Sequence, residues 1–191
     1  MNYLNSNKGK YRNDNRRKKE ILFLDGDGTV WYPKSTKRTK NPHWLYKSYG
    51  KTGYLNELVI IPGTLAVLRK LKSQGVVIIL LSTHPYQKRE SVRLLEQKIK
   101  YLNLGKYIDE YYPTPDRSEA KGDLLIKILN KWSIPKNKAL MVGDSYLFDF
   151  CSAKNVGVDA FLLKTNYTFY PKGARRVSRV IKHLRDVVGL F

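Results

Sequence analysis

The stretch ILFLDGDGT, Ile21 to Thr29, decides the fold. Four apolar residues, Ile21 to Leu24, run straight into two carboxylates, Asp25 and Asp27, one residue apart. Asp is a poor strand former, and two so close together repel each other. Their place at the end of a buried strand asks for a neighbouring group that uses their charge.

Outward from this stretch, strands and helices alternate. PGTLAVLRKLKSQG (62–75) starts with Pro and ends with Gly, and Leu65, Leu68 and Leu71 recur every three residues, which predicts a helix. VVIILLS (76–82) is a continuous apolar run rich in β-branched residues, as in a strand buried on both faces of a parallel sheet. Pro85 opens a second predicted helix, with Val92, Leu95, Ile99 and Leu102 on its inner side. YIDEYY (107–112) reads as a short strand, 119–131 as a helix, KALMV (138–142) as a strand, 145–155 as a helix and VDAFLL (158–163) as a strand. ARRVSRVIKHLRDVV, near the C-terminus, reads as an amphipathic helix with Val177, Val180, Ile181, Leu184 and Val188 inward. Strand and helix alternating over short links predict a doubly wound α/β fold, a mostly parallel Rossmann-like sheet with helices on both faces. In such a sheet ligands bind beyond the carboxyl ends of the strands. Three strand ends carry chemically capable residues: Asp25 and Asp27, then Ser82 and Thr83, then Asp144.

The chain has 191 residues, 42% of them apolar, enough for one domain with a full core. Its longest apolar run, VVIILL, is strand-sized, so a membrane span is not expected. The N-terminus has no apolar core of a secretory signal, and the expected location is the cytoplasm. Cys151 is the only cysteine, which excludes an internal disulfide and a multi-cysteine zinc site. Lys and Arg number 36 against 16 Asp and Glu, a formal charge of +20. That excess favours encounter with anions, either nucleic acid or phosphorylated substrates, although a lysine-rich surface alone would give the same sum. Residues 1–19, with seven Lys and Arg, read as a basic, flexible arm ahead of a single domain over 20–191.

Four motifs, in order, resemble those of the haloacid dehalogenase-like (HAD) superfamily. They are ILFLDGDGT; Ser82 closing GVVIILLS; Lys121 in SEAKGDLL; and GDSYLFD with Asp144 and Asp149. Lys121 precedes Asp144 by 23 positions, a usual spacing in that superfamily. The resemblance covers about residues 20–165 and implies a Mg²⁺-dependent phosphatase. Asp25 is then the nucleophile that becomes an aspartyl-phosphate, and Asp27 the general acid and base. Ser82 or Thr83, Lys121, Gly28 and Thr29 are the expected phosphate-binding residues. Asp25, Asp27 (through its backbone carbonyl), Asp144 and Asp149 are the expected metal site, with Asp149 orienting a bound water or Lys121. Asp27 favours phosphoryl transfer over dehalogenation, because a halide leaves without a proton. Asp27 and Thr83 lie 56 positions apart, too close for a large cap domain, so a capless enzyme or one with a minimal flap is expected. DGDGTVW also resembles the small magnesium-dependent phosphatases of class III.

Within the flap, residues 30–60, the stretch 30–56 holds six Lys and Arg and no acid, interleaved with Trp31, Tyr32, Trp44, Tyr46, Tyr49 and Tyr54. Basic residues among aromatics suit single-stranded nucleic acid, and they equally suit a flap whose rings pack inward while its lysines face water. Trp31 and His84 are candidate substrate contacts. The substrate is expected to be a phosphorylated small molecule, a phosphoprotein or a nucleic-acid end, met by a monomer or homodimer. The alternatives are a polynucleotide end-processing phosphatase and a non-catalytic nucleic-acid-binding protein on the same scaffold.

Overall fold

The computed structural model describes residues 18–42, 55–118, 120–174, 177 and 179–191. Residues 1–17 of the expected basic arm fall outside these, as do His43, Trp44, Tyr46, Tyr49 and Tyr54 of the flap.

Among the described residues, six parallel strands form the main sheet: β1 (Ile21–Asp25), β4 (Val77–Thr83), β5 (Glu110–Thr114), β6 (Ala139–Gly143), β7 (Asp159–Leu163) and β8 (Val180–Ile181). Their spatial order is β5-β4-β1-β6-β7-β8. A separate antiparallel pair, β2 (Trp31–Pro33) with β3 (Leu58–Ile60), lies in the flap region. The helices are α1 (Thr64–Ser73), α2 (Lys88–Tyr101), α3 (Ala120–Lys131) and the single turn α4 (Ser152–Asn155).

Alternation along β1 sets the layers. Leu22 and Leu24 join Leu68 and Leu71 of α1 and Leu94, Leu95 and Ile99 of α2 in one core. Ile21 and Phe23 join Leu125, Ile128 and Leu129 of α3 and Ala153 of α4 in the other. Both faces of β1 are therefore covered, which is why its sequence is continuously apolar. From β1 the chain first builds β4 and β5 on one side and then returns to build β6, β7 and β8 on the other. The connections diverge between β1 and β6, where a doubly wound sheet opens a crevice at its carboxyl edge. Asp25 ends β1 and Asp144 follows β6, so both acids face that crevice.

Three sequence expectations change. Helix α2 begins at Lys88, three residues after Pro85, and its buried stripe is Ser91, Leu94, Leu95, Lys98 and Ile99. Strand β5 begins at Glu110 because the Asp109 carboxylate turns aside to accept the Ile78 N–H (2.8 Å) and Lys72 Nζ (2.7 Å). The C-terminal amphipathic helix is instead a sixth strand, Val180–Ile181, followed by a 3-10 helix, Leu184–Leu190. Open ladder groups on β7 capture Val180 and Ile181 opposite Leu162 and Leu163, so Val180 points outward, 41% exposed, while Ile181, Leu184, Val187 and Phe191 seal the core. Among the described residues, no helix is long and apolar enough to cross a membrane.

Candidate active site

Asp25, Asp27, Ser82, Lys121, Asp144 and Asp149 are all buried and meet at the carboxyl edge of the sheet. Lys121 stands in the first turn of α3, and its Nζ donates to Asp25 Oδ1 and to Asp149 Oδ1, both at 2.5 Å. Asp25 Oδ2 has a long contact, 3.4 Å, from Thr29 Oγ1. Asp149 sits in a π-helical turn, Tyr146–Cys151, that widens the start of the helix after β6. There its Oδ2 accepts the Ser145 N–H (2.9 Å) while Oδ1 stays with Lys121. Ser145 caps this turn by accepting from Phe148 N–H (3.2 Å). A Cβ on Gly143 would overlap the Asp149 carboxyl, so the close approach of β6 to Asp149 requires glycine.

Burial raises the Asp25 carboxyl most. Lys121 opposes the rise, Asp149 and Asp27 add to it, and the pKa is pushed up to about 7. Asp144 is likewise held well above the usual carboxylate range by burial, then by Asp25 and Asp149. Burial alone would push the Lys121 ammonium down, but Asp149 and Asp25 outweigh it and hold it above its ordinary value. Asp25, Asp144 and Asp149 offer carboxylate oxygens within 4.8 Å of one another, the one such cluster among the described residues. An all-oxygen, acidic set suits a hard divalent cation such as Mg²⁺.

Asp27 behaves differently. Its Oδ2 accepts from Lys98 Nζ at 2.6 Å and from Ser82 Oγ at 3.4 Å. Lys98 is 0% exposed and comes from α2, on the opposite face of the sheet from α3. Its ammonium also lies 5.6 Å from the centre of the Trp31 ring. Burial pushes the Lys98 pKa down, with Asp27 the opposing influence. Each acid of the Asp-x-Asp pair thus has its own buried lysine, delivered by helices on opposite faces.

Lys98 and Tyr167 are absent from the residues expected from sequence. The Tyr167 hydroxyl donates to Asp144 Oδ2 at 2.7 Å, and burial and Asp144 together raise its pKa. The loop after β7 that carries Tyr167 has no sequence pattern to announce it. Lys98 left a faint signal, since it falls between Leu94, Leu95 and Ile99 on the stripe. Gly28 packs so close to Asp144 and Tyr167 that a Cβ would overlap both, and its φ of +89° is a conformation that glycine adopts freely. Ser82, rather than Thr83, reaches the site, because Thr83 Oγ1 pairs with Thr114 Oγ1 (3.1 Å) across to β5. Trp31 and His84, expected to touch substrate, are 0% and 1% exposed. Trp31 packs under Gly26, and His84 Nδ1 contacts the Ser82 carbonyl (3.1 Å). At the mouth, a cleft of about 530 Å³ runs from Asp144 past Tyr146, Phe148, Tyr167 and Phe169.

Residues 4–163 match the family model described as haloacid dehalogenase-like hydrolase. Haloacid dehalogenase-like hydrolase domain-containing protein 3 of Xenopus laevis is 27% identical over 54% of this chain and 41% of its own length. A protein of Caldanaerobacter subterraneus bearing the name of a pyrophosphatase, PpaX, is 29% identical over 62% of this chain and 52% of its own. The chain therefore spans about half the length of these curated relatives. Among solved structures, a predicted phosphatase from Clostridium acetobutylicum superposes with a TM-score of 0.68 at 17% identity, covering 90% of this chain and 97% of that one, a likeness of fold. With that match over most of its length, the chain belongs to the haloacid dehalogenase-like hydrolases.

Proposed function

We propose that this protein is a Mg²⁺-dependent phosphomonoesterase acting through a phosphorylated Asp25. The observation that carries this reading is the separate pairing of the two acids: Asp25 with Lys121, and Asp27 with Lys98 and Ser82. With Oδ1 held by Lys121, Asp25 presents Oδ2, which has only the long Thr29 Oγ1 contact of 3.4 Å among the hydrogen bonds described above, to attack phosphorus. The new Asp25 O–P bond forms as the bond from phosphorus to the leaving oxygen breaks, and Asp27 supplies the proton that oxygen needs. Water then attacks phosphorus, gives its proton to Asp27, and restores the Asp25 carboxylate. Lys121 neutralises charge on the phosphoryl oxygens and Ser82 hydrogen-bonds them. Asp25, Asp144 and Asp149, with the Asp27 carbonyl, would hold Mg²⁺, which supplies positive charge against the phosphoryl group.

The test is hydrolysis of p-nitrophenyl phosphate with and without Mg²⁺. Activity should need the cation and fall by roughly a thousandfold or more in Asp25→Asn. Full turnover in that variant, folded by circular dichroism, would remove Asp25 from the nucleophile's role.

A further inference from the structure

The cleft of about 530 Å³ that begins at Asp144 is far larger than a phosphoryl group needs, and it falls within the roughly 300–1,000 Å³ of small-ligand sites. Its inner end is continuous with the acidic cluster, because Asp144 lines it and offers an oxygen within 4.8 Å of those of Asp25 and Asp149. Its walls come from the π-helical turn after β6, through Tyr146, Leu147 and Phe148, and from the loop after β7, through Tyr167 and Phe169. Among the described residues no Lys, Arg or His lines it, and its charged side chains are two acids, Asp116 and Asp144. In a chain with 36 Lys and Arg, the space beside the catalytic acids is thus aromatic and free of cations.

The inner rings of this wall are held in place. Tyr146 is buried, stacked on Phe150 (centroids 6.1 Å apart, planes at 18°) and tilted against Tyr170 (5.5 Å, 55°). The Tyr167 hydroxyl is anchored on Asp144 at 2.7 Å. Apolar surface is nonetheless left open at the mouth. Among the described residues five large hydrophobic side chains are exposed, and three of them belong here: Leu147 and Phe169 line the cleft, and Tyr170 packs on Tyr146. Phe169 is 72% exposed. Apolar side chains gathered at one opening mark a binding surface, where single scattered ones would not. Such a wall holds a flat ring by stacking and dispersion. A further phosphate would find no cationic side chain there and would face Asp116.

We propose that this cleft is the leaving-group subsite and that it takes an uncharged planar ring, resting on the phosphatase reading above. The preferred substrates are then small phosphomonoesters of ring-bearing alcohols. The transferred phosphoryl group lies at Asp25, and the ring extends past Asp144 between the turn after β6 and the loop after β7. Leu147 and Phe169 set the preference, because their exposed side chains are the part of the wall that a ring covers. Monoesters of ringless alcohols and internal phosphates of a nucleic-acid strand gain nothing from it. The ring is carried either on the ester oxygen itself, as in a phenol, or one sugar away, as in a nucleoside.

Direct binding, measured with Mg²⁺ on the full chain carrying Asp25→Asn so that turnover does not intervene, separates these sources. The probes are phenyl phosphate and adenosine monophosphate, with glycerol phosphate as the ringless reference, each titrated by ligand-observed NMR. At least one ring-bearing probe should bind about tenfold more tightly than glycerol phosphate. Leu147→Ser/Phe169→Ser changes two exposed side chains and should remove most of that advantage. Tyr101→Ser, also exposed but at the far end of α2, should not. An advantage lost for phenyl phosphate identifies a ring on the ester oxygen, and one lost for adenosine monophosphate identifies a nucleoside. No advantage for either ring, or equal loss in both variants, overturns the subsite. So does a dimer that Leu147→Ser/Phe169→Ser dissociates in sedimentation with the ring preference unchanged, since the patch would then join two copies of the chain. Hydrolysis of p-nitrophenyl phosphate by the unsubstituted chain is scored separately, so failure of the phosphatase reading would show there while the binding result stood.

Discussion

Lys98 is wholly buried, and its ammonium pairs with the Asp27 carboxylate at 2.6 Å. A buried pair gives little net stability over an apolar pair, yet losing one member strands a charge. Lys98→Met should therefore destabilise the protein by about 3–5 kcal/mol, measured by denaturant unfolding. Lys98→Met/Asp27→Asn should regain a large part of that, because neither charge is then left alone. Additive losses in the two single variants and the double would show that the ion pair is not what Lys98 supplies. The pairing also explains how two acids one residue apart can end a buried strand: each is drawn to a different face, Asp25 toward α3 and Asp27 toward α2.

The C-terminal segment holds together as an element through Asp186. Its Oδ2 accepts from His183 N–H (3.0 Å) and Lys182 N–H (3.2 Å), tying the start of the 3-10 helix to the end of β8. Asp186→Ala should cost about 1 kcal/mol, as loss of a capping side chain does, and urea midpoints would measure it. An unchanged midpoint would mean that the strand and helix do not depend on this cap. This segment is also where sequence reading failed. Val177, Val180, Ile181, Leu184 and Val188 fit a helical stripe, but an open strand edge at β7 offered backbone hydrogen bonds that periodicity does not record. By contrast β1, β4 and β6 were legible, since strands buried on both faces must be continuously apolar. Asp25, Asp27 and Asp144 were legible because acids at the ends of such strands have no packing role. Lys98 was not, because a lysine on a helix ordinarily reads as solvated, and its partner is 71 positions away. Tyr167 was not, because a loop side chain carries no period at all.

Across the whole molecule, a chain of net charge +20 gathers acids at one buried point. Burial first, and then repulsion among them, raises Asp25 from 3.8 to about 7, against the pull of Lys121, and Asp144 well above 3.8. The unfolded chain releases these protons near 3.8, whereas the metal-free native site keeps the Asp25 proton until about 7. The native state therefore binds more protons across that interval, so its stability falls as pH rises from about 4 to about 7 and is not regained above it. A divalent cation bound to Asp25, Asp144 and Asp149 competes with those protons and reverses the trend. Saturating Mg²⁺ at about 100 times its dissociation constant would add about 2.7 kcal/mol. The rise in melting temperature on replacing EDTA with millimolar Mg²⁺ should thus be larger at about pH 8 than at about pH 5. Asp144→Asn should abolish most of that difference, because it removes one of the three carboxylates and leaves the two that Lys121 already bridges. A Mg²⁺ increment equal at both pH values, or undiminished in Asp144→Asn, would mean that the cation stabilises the chain elsewhere than at the acids that end β1 and follow β6.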